Sequence, residues 1–171
     1  ATRTLTLKGL WEAAIETVQT TAMLFVIVIG AFIFSRLIVL TQFPAALADW
    51  VRDAGLAPWM VIAAIVALYL LLGTFLEEVS TLLITVPVLL PVVKGIGYDP
   101  IWFGIIVVLV VEIGLMTPPV GMNIFVLKSL APSAPIWTMY RGAVPFVIAA
   151  IGCLIALLFL PDIALVLTRL M

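Results

Sequence analysis

Two clusters of residues interrupt an otherwise apolar chain where a lipid-soluble helix should run on. The first is Gly73-Thr74-Phe75-Leu76-Glu77-Glu78-Val79-Ser80-Thr81, set between two uncharged arms. The second is Gly114-Leu115-Met116-Thr117-Pro118-Pro119-Val120-Gly121-Met122-Asn123. Both collect residue types that suit the holding of an ion rather than the making of a bond. In the first, Gly73 lets the chain turn, and Ser80 and Thr81 can cap a returning helix. The carboxylates of Glu77 and Glu78 then stand near a helix start, where its dipole favours negative charge. A hairpin that ends inside a bilayer must satisfy its own backbone, which requires surrounding protein or a water-filled cavity. The plainer alternative is a solvated loop between two spans.

In the second cluster, Pro118 and Pro119 remove backbone donors and force a helix to unwind. Gly114 and Gly121 allow close approach and unusual dihedrals. The freed carbonyls, with the Thr117 hydroxyl, make a hard-oxygen site of the kind that holds sodium in discontinuous transporter helices, where half-helix N-termini face anionic groups. The plainer alternative is a proline kink, for which one proline suffices. Glu112, five residues before Thr117, is an intramembrane carboxylate and so a functional candidate. A structural hydrogen bond to a neighbouring helix, or an interfacial position, is the alternative there.

Other chemistries are excluded by residue type. The chain has no histidine and one cysteine, Cys153. That removes a disulfide framework, a Cys/His zinc site and hydrolases built on Cys–His or Ser–His pairs. Cys153 itself reads as a small buried apolar residue. No enzyme activity and no cofactor are expected. No arginine lies in either cluster, so a bound anion must rely on backbone, hydroxyls and dipoles, or on residues from elsewhere.

The elements that position these clusters follow from composition. Of 171 residues, 65% are apolar and 10% charged, against about 25% charged in soluble domains. Mean hydropathy is +1.38. Eight basic residues stand against nine acidic ones, so there is no basic face for nucleic acid. The chain reads as an all-α integral membrane protein of one domain. Residues 1–20 read as an amphipathic connector helix, with Leu7, Leu10, Trp11, Ala14, Ile15 and Val18 on one face. The membrane domain covers 21–171. It comprises a spanning helix over 21–40, an amphipathic segment over 43–53, a re-entrant hairpin over 56–93 with its tip at 73–81, a broken helix over 100–130 and a spanning helix over 142–168. Trp11, Trp50, Trp59, Trp102 and Trp137 lie at edges of apolar runs, as interfacial anchors do. Lysines and arginines divide evenly between the two sides, so charge leaves the orientation open. The chain starts at Ala1 rather than Met, and the expectation is that it is a piece of something longer.

The succession of motifs resembles a known family. Hairpin tip, then Val86-Pro87-Val88-Leu89-Leu90-Pro91, then Gly97-Tyr98-Asp99-Pro100-Ile101-Trp102-Phe103-Gly104, then Glu112 through Phe125 is similar to the C-terminal half of the large membrane subunit of TRAP transporters. These are the tripartite ATP-independent periplasmic transporters of the ion-transporter superfamily. The resemblance covers essentially the whole chain, and its Gly-x-x-Thr-Pro-Pro-Val-Gly-x-Asn stretch is specific. It implies one half of an inverted repeat, with scaffold helices, a re-entrant hairpin and a discontinuous helix that move as an elevator. It implies sodium ligands at Gly73, Gly114, Thr117 and Val120, mainly through carbonyls, with sodium the only metal. Glu77, Ser80, Thr81, Pro118, Gly121 and Asn123 complete the candidate ion or substrate site. The sequence departs from the family at Glu77, where an aspartate is more usual.

The implied function is sodium-coupled symport of a small organic acid, delivered by a periplasmic substrate-binding protein, in the bacterial inner membrane. The implied partners are a small membrane subunit, the N-terminal half of the large subunit and the lipid bilayer, with no nucleic acid. The resemblance also places the hairpin on the periplasmic side. Two rival functions remain at this point: a divalent-anion or arsenite carrier that needs no binding protein, and a non-transporting membrane scaffold.

Overall fold

The protein is described here from a computed structural model covering residues 6–169, and every regular element among them is a helix. In chain order these are α1 (Leu7–Leu40), α2 (Phe43–Asp53), α3 (Pro58–Phe75), α4 (Glu78–Gly95), α5 (Pro100–Met116), α6 (Met122–Leu130), α7 (Ile136–Phe159) and α8 (Pro161–Arg169). Helices α1, α3, α4 and α7 are each long and apolar enough to cross a membrane. The protein is an all-α integral membrane protein.

The connector and the first span are not separate. Thr6 caps α1 by accepting from the Gly9 N–H, and the helix runs unbroken from Leu7 to Leu40. No proline interrupts it. The Thr17 and Thr20 hydroxyls donate back to the carbonyls of Ala13 and Glu16, so the polar residues at the expected junction are satisfied within the helix. Residues 1–5 of the expected connector lie outside the described residues. The chain turns at Gln42, which adopts a left-handed conformation, and enters α2 with Pro44 in the first turn.

The last span also departs from expectation. Instead of one helix over 142–168, α7 ends at Phe159 and α8 begins at Pro161. Proline supplies no N–H to continue the helix and is tolerated in the first turn of a new one. Residues 170 and 171 lie outside the description.

Helix α5 occupies the centre. It packs on α3, α4, α6, α7 and α8, and most of its side chains from Trp102 to Leu115 are buried. Val61, Ile62, Ile65 and Tyr69 of α3 join Phe103, Ile106, Val107 and Val110 of α5 in the same core. Burying apolar side chains this way contributes on the order of 1.5–3 kcal/mol each in water. In a bilayer that transfer term weakens, and close packing and hydrogen bonds carry more of the association. Two polar contacts act so here. The Thr85 hydroxyl of α4 meets the Tyr69 hydroxyl of α3 at 2.7 Å, and the Trp102 indole donates to the Leu157 carbonyl of α7 at 2.9 Å.

Trp102 is therefore not an interfacial anchor. It is 1% exposed, whereas Trp11, Trp50, Trp59 and Trp137 are all 60% exposed or more. Its place at the edge of an apolar run reflects the start of α5, whose first turn already faces other helices. Cys153 corrects the opposite expectation. It is exposed, lining an open groove between α7 and α5 with Gly104, Val108 and Leu157.

Candidate functional site

Helices α3 and α4 form a hairpin whose turn is Leu76 and Glu77. Glu77 closes that turn. Its carboxylate accepts from the backbone N–H groups of Val79 and Ser80, at 3.0 and 2.9 Å, and from the Ser80 hydroxyl at 2.9 Å. It is thus the N-cap of α4. The capping role expected of Ser80 and Thr81 falls to Glu77 because it precedes the first helical residue, whereas they already lie inside the helix. The Thr81 hydroxyl instead donates to the Glu77 carbonyl at 2.8 Å and is buried. The glutamate at this position spends its carboxylate on the turn itself.

Gly73 does not turn the chain either. It lies within α3, buried, and its value is the missing side chain. A Cβ added there would sit 2.9 Å from the Val111 carbonyl oxygen and 3.2 Å from the Gly114 Cα. A Cβ on Gly114 would sit 2.8 Å from the Gly73 Cα. The two glycines let the hairpin arm and α5 touch backbone to backbone, the small-residue contact that membrane helices use for close approach.

One turn further along both helices the regular structure stops. Helix α5 ends at Met116, and Thr117 to Gly121 form the break before α6. The Pro118–Pro119 peptide bond is cis. Thr117 folds back on α5, its N–H donating to the Gly114 carbonyl at 2.9 Å and its hydroxyl to Ile113 at 2.6 Å. Its only hydroxyl proton is so committed, and its oxygen lone pairs remain acceptors. Pro119 has no N–H and so cannot donate to the Leu115 carbonyl four residues back.

Gly121 is where these strands of the site meet. Its φ of +59° disfavours any residue with a Cβ, and a Cβ there would lie 3.2 Å from the Thr117 carbonyl oxygen and 3.3 Å from that of Leu115. Its N–H donates to the Thr74 carbonyl of the hairpin arm at 3.3 Å. The hairpin tip and the helix break are therefore at one level and joined through backbone. After the break α6 adds nine residues, about 14 Å of helix.

The remaining candidates divide. Gly73 and Gly114 lie where tip and break touch, and Thr117 follows them, bonded to Gly114 and bordering the cleft toward α7. The Val120 carbonyl accepts from the Tyr140 hydroxyl of α7 at 2.6 Å. Asn123 reaches back across the break to donate to the Glu112 carboxylate at 3.3 Å, so Glu112 has the structural partner on a neighbouring helix that was one of its two readings. Pro118 is exposed at the break.

Sequence reasoning missed Tyr140 and Arg141. Both lie in the first turns of α7 and line a cleft of about 190 Å³ with Met116, Thr117 and Pro118. Some twenty residues separate them from the break, and no local pattern announces the contact. The Lys128 ammonium shapes the connection, donating to the Pro132 and Ala134 carbonyls at 2.7 and 2.8 Å in the turn between α6 and α7.

Residues 1–163 match the family described as "Tripartite ATP-independent periplasmic transporter, DctM component". The chain is 35% identical over 91% of its length to the C4-dicarboxylate TRAP transporter large permease protein DctM of Pseudomonas aeruginosa, covering 36% of that protein. It is 36% identical over 98% of its length to the sialic acid TRAP transporter large permease protein SiaM of Vibrio cholerae, covering 39% of it. With the 2,3-diketo-L-gulonate TRAP transporter large permease protein YiaN of Escherichia coli it shares 30% identity over 94% of its length and 38% of that protein. The chain thus spans well under half the length of these relatives. It belongs to the DctM family of TRAP transporter large permeases, and it is an inner-membrane protein.

Proposed function

We propose that this chain is the half of a TRAP large permease that carries one sodium site of a symporter for a small organic acid. The observation that supports this most directly is the junction at Gly121. There the hairpin backbone, through Thr74, and the freed carbonyls at the end of α5 converge around a residue with no side chain. Such a junction concentrates oxygen dipoles without requiring a charged side chain, which suits a monovalent hard cation. In this reading Gly73 and Gly114 bring the two backbones together, and Thr117 adds its hydroxyl oxygen. Val120 contributes its carbonyl through the lone pair that Tyr140 leaves free. Sodium is the coupling ion, and no other cofactor takes part.

The hairpin is re-entrant in this reading, its tip meeting the break between α5 and α6. Hairpin and broken helix, locked at Gly73 and Gly114, travel together as an elevator. The missing half of the large subunit supplies an inverted counterpart, a small membrane subunit braces the scaffold and a periplasmic binding protein delivers the acid. The relatives' names span a dicarboxylate, a sialic acid and a keto sugar acid, which agrees with an organic acid as the class.

The test is uptake into vesicles holding the complete large subunit with its small subunit and binding protein. Uptake of a TRAP-type acid is expected only with an inward sodium gradient and the binding protein present, and not from residues 1–171 alone. Uptake that ignores sodium would overturn the coupling. Uptake that persists without the binding protein would favour the simpler carrier.

A further inference from the structure

We propose that Arg141 is the seat for a carboxylate of the transported acid, placed beside the ion site by the fold. This rests on the organic-acid reading above and extends it to a residue outside both sequence clusters. Tyr140 fixes the level. Its hydroxyl reaches the Val120 carbonyl, so the next residue of α7 stands alongside the break rather than at the end of the bundle. The cleft there is walled by Met116, Thr117 and Pro118 on one side and Trp137, Tyr140 and Arg141 on the other.

Apart from the Thr117 and Tyr140 hydroxyls and the Trp137 indole the lining is apolar, and Arg141 is its only formal charge. The guanidinium lies 6.0 Å from the centre of the Trp137 ring. A ring face of this kind steadies a cation without neutralising it and leaves its N–H fork open to a planar oxyanion. Neither ion pair among the described residues, Lys8–Glu12 and Asp49–Arg52, involves it. Arg141 is exposed beside this cleft, so its guanidinium is open to an incoming anion. The break adds a second attraction, because the N-terminus of α6 opens at Gly121 with the positive end of its dipole. Thr117 belongs to both the ion site and this cleft, so cation ligands and the anion seat would adjoin at the same break. A carboxylate at Arg141 would then offset the charge of a bound sodium.

The experiment uses the complete transporter in nanodiscs of phosphatidylcholine, read by thermal stabilisation. The probes are succinate, N-acetylneuraminate and 2,3-diketo-L-gulonate, each with saturating sodium. The variants are Arg141→Gln, Arg141→Met, which keeps the stem against Trp137, and Arg141→Lys. The acid that stabilises the wild type best should bind the two neutral variants about tenfold or more weakly, the loss expected for a charge-assisted pair. Arg141→Lys should fall between, and the sodium midpoint without acid should not move. Wild-type acid affinity in either neutral variant would overturn the seat and leave the transport reading standing. So would a loss that appears only when phosphatidylglycerol is added, since Arg141 would then hold a lipid phosphate. A wild type stabilised by none of the acids would overturn the organic-acid reading, and the seat with it.

Discussion

Gly73 and Gly114 meet so closely that a methyl group on Gly114 would stand 2.8 Å from the Gly73 Cα and 3.0 Å from the Leu70 carbonyl oxygen. At this point the hairpin and the broken helix touch by backbone rather than by side chains. A change at either glycine must therefore move a whole helix, because no rotamer can yield.

Gly114→Ala should consequently lower thermal stability in detergent by about 1–3 kcal/mol, the usual cost of overpacking a tight contact. Gly73→Ala should do the same. Gly104→Ala is the control. Nothing lies within 4 Å of its Cβ position on the same helix α5, so it should be neutral or slightly stabilising. Equal effects at Gly104 and Gly114 would refute the backbone contact.

Glu77→Ala removes the carboxylate that accepts from Val79 and Ser80 at the α4 N-terminus and should cost about 0.5–2 kcal/mol of stability, as lost caps do. Glu77→Asp should restore most of it, since a shorter carboxylate still caps well. The two are compared by unfolding in detergent without sodium, so that the cap is measured apart from any ion.

Tyr140→Phe frees the Val120 carbonyl and should cost about 1 kcal/mol. If Val120 binds sodium, the released lone pair should also change the sodium midpoint. A stability loss with an unchanged midpoint would place Val120 outside the ion shell. Sodium-dependent melting of the complete transporter reads both quantities together.

Thr117→Val keeps the shape of the break and removes the hydroxyl. Sodium stabilisation should fall by about 1–3 kcal/mol, while Thr117→Ser, which keeps the oxygen, stays near wild type. Unaltered sodium dependence in Thr117→Val would make the break a structural kink.

Trp102→Phe leaves the Leu157 carbonyl without its donor inside the core and should destabilise by about 1–3 kcal/mol. Trp59→Phe changes a residue that is 67% exposed and should have little effect on unfolding. Similar losses at both would restore the anchor reading of Trp102.

Much of this was legible in the residues themselves. Apolar runs of membrane length, interrupted at Glu77 and again at Pro118-Pro119, announce a helical membrane protein with a hairpin and a broken helix. Local chemistry is enough for that, because proline removes a donor wherever it stands and a charge interrupts a lipid-facing run in any fold. What a residue does with its freedom was decided only by tertiary structure. Gly73 reads as a turn residue, yet it is a contact residue, because α5 lies against it. Trp102 reads as an anchor, yet it is core, because α7 offers its carbonyl at Leu157. Arg141 belongs to no local pattern, and the turn after α6 brings it to the break. Periodicity along one helix records which face is apolar, and it is blind to which neighbour covers that face.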